Sequence, residues 1–188
     1  MIPMKRLLFV FAFFTCFFIS EVVIAQNVNQ FDDNKQRTGV WEKKYPNNKI
    51  RYSGAFENGK EIGVFKFYNN SSSQHPVIIK TYSKKNDSVL VQFFTLKGKL
   101  QSKGYFFNKN RIGHWAYYFK DGKKMSKEFY KEGKLEGELI NYYPNGKATE
   151  ISLYKNGLKY GASKKYSSEG VLIEEVTFKN GKTNGVAK

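Results

Sequence analysis

Cysteine is all but absent from this chain. Its one cysteine, Cys16, lies inside an apolar run near the start, and its only histidines are His75 and His114. If that run is removed, no thiol remains, which excludes disulfides, thiolate metal sites and cysteine nucleophiles together. Two isolated histidines with no clustered carboxylates supply neither a zinc set nor a catalytic triad, so both read as surface or partly packed imidazoles. Acidic residues are also few, 16 against 32 Lys and Arg, for a formal charge of +16. They are scattered, as at Asp32, Asp33, Glu57, Asp87, Glu132 and Glu136, and the adjacent Glu174-Glu175 would point to opposite faces of a strand. No recurring position is acidic, so no glycosidase-like carboxylate pair is built in. The expectation is a non-enzymatic protein with no cofactor, no metal and no catalytic residue.

What is present begins with a leader. Lys5 and Arg6 precede "LLFVFAFFTCFFIS", about 14 apolar residues, the length of a signal-peptide core. That is short of the ~20 needed for a spanning helix. Val23 and Ala25 are compact residues at the third and first positions before a cleavage preceding Gln26. Cys16 is followed by more Phe, unlike a lipidation site. Residues 1–25 are therefore read as a signal peptide and 26–33 as a short linker, which places the protein in the periplasm, at the cell surface or outside the cell. Cleavage removes two cations and one anion, so the formal charge falls by one, from +16 to +15. Such a balance favours solubility and long-range attraction to anions. The lysines are dispersed singly or in short groups, with no block marking a binding tail.

Residues 34–188 repeat. The pattern N-G-K-x-x-G appears as "NGKEIG" (58–63), "NGLKYG" (156–161) and "NGKTNG" (180–185), and in looser form as "NKQRTG", "NKNRIG" and "EGKLEG". Its closing glycines are Gly39, Gly63, Gly113, Gly137, Gly161 and Gly185, spaced 24, 50, 24, 24 and 24 residues. The long gap holds two periods, with Ser88 in the place of a glycine and the insertion "NNSSSQHP" as the disturbance. Units fall near 34–57, 58–82, 83–107, 108–131, 132–155 and 156–179, with a partial unit at 180–188. A fixed period of this length marks a repeat architecture.

Each unit has one grammar: an aromatic-rich run, a turn such as "PNNK", "KDGK" or "PNGK", and a second run rich in Tyr, Phe, Val and Ile. The runs are short, partly alternating and without helical period, which predicts strands. Asn-Gly and Asp-Gly tolerate positive φ at both central positions and so favour primed hairpin turns. A lone hairpin is not stable in water, but hairpins paired in series are. The expected fold is all-β, an antiparallel meander of β-hairpin repeats of about 24 residues forming an elongated, twisted sheet. Aromatics two residues after the closing glycine (Trp41, Phe65 and Trp115, with Leu90 and Leu139 in the same place) and six after it (Tyr45, Phe94, Phe119, Tyr143) should line one face. The glycines should mark tight bends or positive φ. In "NYYPNGKATE", Tyr143 is expected to pack and Lys147 to face water.

The unit resembles the variant form of the MORN repeat, in the class often labelled YwqK-type antitoxin-like. The resemblance rests on N-G-K-x-x-G, the aromatic two residues on, and Y-P-N-G-K at mid-unit, and is fullest over Gly137 to Gly161. Departures are Ser88, the loop at 69–76 and the weak sixth unit "GASKKYSSEG". It implies a hairpin array used as a binding or scaffolding surface; repeats of this kind have been linked to membranes, phospholipids and protein partners, and the antitoxin label implies neutralising a toxin. The reading is thus a surface binding a protein partner or an anionic lipid or polysaccharide, with Trp41, Phe65, Trp115 and Tyr143 as candidate contacts. Lysines interleave with aromatics as in "KKYPNNKIRY", as they would on a single-strand nucleic-acid platform. A sheet with one aromatic packed face and one lysine-rich face accounts for the same pattern, so nucleic acid is disfavoured. The oligomeric state is left open.

Overall fold

The computed structural model describes residues 27–185. The proposed leader, its cleavage before Gln26, and Cys16 lie outside the described residues. Among the described residues there are fifteen strands in one sheet. They are β1 (Gln30–Phe31), β2 (Arg37–Lys44), β3 (Ile50–Glu57), β4 (Lys60–Phe67), β5 (Ile78–Tyr82), β6 (Ser88–Phe94), β7 (Leu100–Phe107) and β8 (Asn110–Tyr118). The sheet continues with β9 (Lys124–Lys131), β10 (Lys134–Leu135), β11 (Gly137–Tyr142), β12 (Ala148–Lys155), β13 (Leu158–Tyr166), β14 (Leu172–Lys179) and β15 (Lys182–Thr183). Every pairing is antiparallel and joins strands adjacent in order, save that β9 pairs both the short β10 and β11. The fold is the open hairpin meander that the repeat implies.

Two turn types alternate along it. Asn58-Gly59 has φ of 49° and 73°, and Asn156-Gly157 has 52° and 85°, the primed geometry expected of Asn-Gly. The mid-unit turn differs from expectation. Gly146 donates to the Tyr143 carbonyl at 2.8 Å, and of Pro144, Asn145 and Gly146 only the glycine has positive φ, at 88°. This is a type I turn with proline at its second position, closed by a bulge, and it causes the register shift between Asn141 and Tyr142. Proline fixes a negative φ, which rules out the primed form.

The closing glycines Gly39, Gly63, Gly113, Gly137, Gly161 and Gly185 all have positive φ, between 63° and 112°. Gly63 shows why. Pairing jumps from Ser53↔Lys66 to Ala55↔Ile62, so one residue of β3 faces three of β4, and Gly63 at φ 65° absorbs the bulge. Nothing lies within 4 Å of a Cβ placed there, so conformation and not space selects glycine. In the aberrant unit, Val89 pairs with Phe106 as Gly39 pairs with Phe56, so Val89, and not Ser88, occupies the glycine's place. Between β5 and β6, pairing then runs from Tyr82↔Val89 to Ile78↔Phe93 without a shift. A one-residue offset exchanges the two faces of a strand. Val91 is therefore the counterpart of Trp41 and is buried, while Leu90 turns to the other face, a correction to the expected row. Thr95, which starts the turn by accepting from Gly98, likewise stands where Phe94 was expected.

Candidate functional site: two unlike faces of one sheet

Residues opposite one another in the register share a face, so the sheet divides cleanly. The packed face carries all the buried hydrophobic side chains among the described residues: Phe56, Phe65, Val91 and Trp115. Edge-to-face contacts link Phe31, Trp41, Phe56 and Phe65 in sequence at ring separations of 5.0, 5.8 and 5.2 Å. Phe106 meets Trp115 in the same way at 5.1 Å. Arg37 lies 4.8 Å over the Trp41 ring and Arg111 4.6 Å over Trp115. Gly54 and Gly104 lie beneath two of the rings; an added Cβ would come within 2.5 Å of Phe65 and 2.2 Å of Trp115. These glycines allow a ring to lie flat on the next strand.

That packing decides the fate of the expected contact residues. Phe65 and Trp115 expose only 1% of their surface each and form the core. Trp41 is half-buried and its indole N–H is held by the carbonyls of Gln30 and Thr38. Tyr143 is half-buried too, with its hydroxyl donating to the Tyr166 carbonyl at 2.9 Å. Lys147 is exposed as expected, yet its ammonium donates to the Glu169 carbonyl at 2.6 Å. None of the four aromatics presents an open ring to a partner.

Toward the later units the packed face becomes polar. Arg111 donates to the hydroxyls of Tyr117 and Tyr130 at 3.0 and 3.1 Å, and Tyr130 donates to Glu128 at 2.8 Å. Burial, helped by the negative charge of Glu128, pushes the Tyr117 phenol well above its ordinary range. Further on, Glu150 accepts from Lys159 at 2.7 Å and from Ser152 at 2.6 Å, and Ser152 contacts Ser163 at 2.7 Å. Burial alone would raise the Glu150 carboxyl; the donors from Lys159, Ser152 and Ser163 outweigh it and hold the group below its usual value. These groups satisfy one another inside the sheet face, leaving no spare nucleophile–base pair aimed at a reacting atom. His75 packs against the turn at Gly98, and His114 stacks edge-on to Phe129 at 5.0 Å. Among the described residues no group of three or more His, Cys, Asp or Glu could hold a metal ion.

The open face is different in kind. One unbroken row crosses it: Ser53, Lys66, Ile79, Gln92, Lys103, Ala116, Lys127, Ile140, Ile151 and Lys164 stand opposite one another strand by strand. Among the described residues, ion pairs engage Lys44 and Lys164 on this face but not Lys66, Lys103 or Lys127. Beside the lysines runs a ladder that the sequence reading missed: Tyr68, Phe94, Tyr118, Tyr142 and Tyr166, one at or just past the end of the first strand of each full unit after the first, all half-buried. Tyr117 pairs with Ser126 on the packed face, so its neighbour Tyr118 points to the open one. The signal was present as the second aromatic of "YYF" (Tyr118) and the first of "YYP" (Tyr142), in each case one residue before the position that was read. Tyr105, 44% exposed, adds a ring between ladder and edge. A cleft of about 420 Å³ opens here, lined by Lys103, Tyr105, His114, Tyr118, Lys124 and Lys127.

No curated protein matches the chain. The family described as MORN repeat variant matches at residues 37–60, 135–156 and 159–180. Each matched segment spans a hairpin turn and most of the strands around it, in register with the 24-residue period. The chain is thus an open β-meander, three segments of which match the MORN repeat variant.

Proposed function

We propose that the protein is a non-enzymatic, exported binding protein whose open face engages an anionic component of the cell envelope. The observation that carries this is the division of labour between the faces: one face uses its rings for the core, and the other holds half-buried rings beside a row of lysines. The ladder rings recur at a fixed interval on the face that carries none of the fully buried hydrophobic side chains. A basic surface attracts anions over about a Debye length, ~8 Å at physiological salt, so binding of this kind weakens as salt rises. The apolar leader with Lys5 and Arg6 supports export, and the matched repeats support a binding role.

The test is a salt titration of the leaderless protein on isolated envelope, followed by cross-linking on the same material. Binding that falls steeply with salt and is lost when lysines of the open face are neutralised supports the proposal. A stoichiometric, salt-resistant complex with one toxin-like protein would replace it with the antitoxin reading of the YwqK-type class.

A further inference from the structure

The open face carries a second periodicity that says more about its ligand; this inference rests on the anionic-partner reading above. Successive ladder rings sit on every second strand. With strands ~4.8 Å apart, Phe94, Tyr118, Tyr142 and Tyr166 are spaced at ~9.6 Å across the sheet. Lys103 on β7 and Lys127 on β9 are also two strands apart, with only Ala116 between them. The ring period and this lysine interval are therefore the same, side by side. The cleft lies where they meet, between Tyr118 and the two lysines.

A ligand for such a surface must be extended, must offer an apolar flat face at that interval, and must carry negative charges one interval apart over Lys103 and Lys127; the next places at that step, Ile79 and Ile151, are apolar. Stacked bases of a nucleic acid rise only ~3.4 Å and would have to come fully apart to reach successive rings. A lipid surface has no fixed repeat at all. An extended β-linked glycan has a two-sugar repeat of about this length, with the C–H faces of its pyranose rings available to aromatic side chains. If every second sugar is a uronic acid, two carboxylates one repeat apart fall beside Lys103 and Lys127. Gln92, opposite Lys103 in the same row, adds an amide that can both donate to and accept from sugar hydroxyls.

We propose that the open face from β6 to β11 binds an extended acidic glycan of alternating uronic acid and neutral sugar, laid across the strands with one sugar in the Tyr118–Lys103–Lys127 cleft. The experiment uses the leaderless full chain and four probes: hyaluronan as the alternating uronate polymer, dextran as the neutral glycan, poly(dT), and phosphatidylglycerol vesicles. Hyaluronan should bind and dextran should not. Tyr118→Ala should weaken hyaluronan binding about tenfold, ~1.4 kcal/mol, while Tyr118→Phe retains most of it. The double variant Lys103→Gln/Lys127→Gln, which leaves the rings in place, should weaken it comparably and flatten its salt dependence. Lys80→Gln on the packed face should change nothing. Hyaluronan binding indifferent to Tyr118→Ala in a variant with an unchanged circular dichroism spectrum would overturn the proposal, as would tighter binding to poly(dT). Binding to vesicles alone would overturn the glycan but leave the anionic-partner reading standing. Binding to none of the anionic probes would remove both.

Discussion

Gly104 and Gly63 are both glycine for reasons that a substitution can separate. At Gly104 the constraint is space, since a Cβ would strike the Trp115 ring at 2.2 Å. Gly104→Ala should destabilise by ~1–3 kcal/mol through overpacking, read as a lowered urea midpoint. Trp115→Ala should relieve part of that penalty in the double variant. Gly63→Ala meets open space and carries only the positive-φ cost, ~1–2 kcal/mol, with no such coupling. Ser126 presents the opposite case. Its hydroxyl is the one buried side-chain polar atom without a hydrogen-bond partner among the described residues. Ser126→Ala should raise stability by ~1 kcal/mol or leave it unchanged, since it removes an unsatisfied group. Glu150 gives the pH dependence. Its carboxyl is held below the ordinary value of 4.5, so its stabilising contribution is complete above that pH and is lost as pH falls through the lower folded-state value. Thermal melts from pH 7 to pH 3 should show a steeper loss in the wild type than in Glu150→Gln.

The Y-P-N-G-K segment explains itself at the level of the hairpin. Tyr143, Asn145 and Lys147 donate to the carbonyls of Tyr166, Ser168 and Glu169 in the next unit's turn. Tyr45, Asn47 and Lys49 do the same to Tyr68, Asn70 and Ser71 at the first such turn of the series. Three side chains thus clip each such turn to its neighbour, and Lys99 and Lys123 keep the lysine clip where the tyrosine is missing. On the opposite edge the Asn-Gly turns reach back, as when Gly157 donates to the Leu135 carbonyl at 2.8 Å. Removing one clip with Tyr143→Phe should cost ~1 kcal/mol and speed amide exchange in residues 166–170 over that in 95–99. This level was the most legible from sequence. Turn residues are chosen by local backbone geometry, so "NGK", "PNGK" and their looser forms announced the hairpins outside the disturbed stretch from Tyr68 to Ser88. What escaped was parity. A ring at Tyr118 and one at Phe119 differ by a single position but belong to opposite faces, and the period alone does not say which of two adjacent aromatics is inward. The same parity rule misassigned Leu90 and Phe94, because the insertion at 69–76 adds residues that do not preserve the count.

Across the molecule, order in sequence is order in space, and no strand pairs beyond its neighbours in the series save at β10. Stability in such an array is close to a sum over units and the interfaces between them. Those interfaces are unequal. The earlier units share the aromatic chain from Phe31 to Tyr82 and the cluster around Trp115, whereas the later ones meet through Ser152, Ser163 and Glu150. Amides of β7 to β9 should therefore exchange more slowly than those of β12 to β14, and Trp115→Ala, at ~3–5 kcal/mol, should abolish that difference. Hydrogen-exchange mass spectrometry on the intact chain reads both.

The turn-to-turn clips carry one more consequence. Each clip uses backbone carbonyls as acceptors, and every residue type supplies those. At these turns, though not in the ring packing between them, a unit makes almost no demand on the side chains of the unit that follows it. Duplicating 24 residues would lengthen the array by one step of ~9.6 Å and keep the turn clips at both junctions. The protein is built like a ruler whose graduations can be added or removed, so the reach of its surface can be tuned in gene length without redesigning the contacts between its turns.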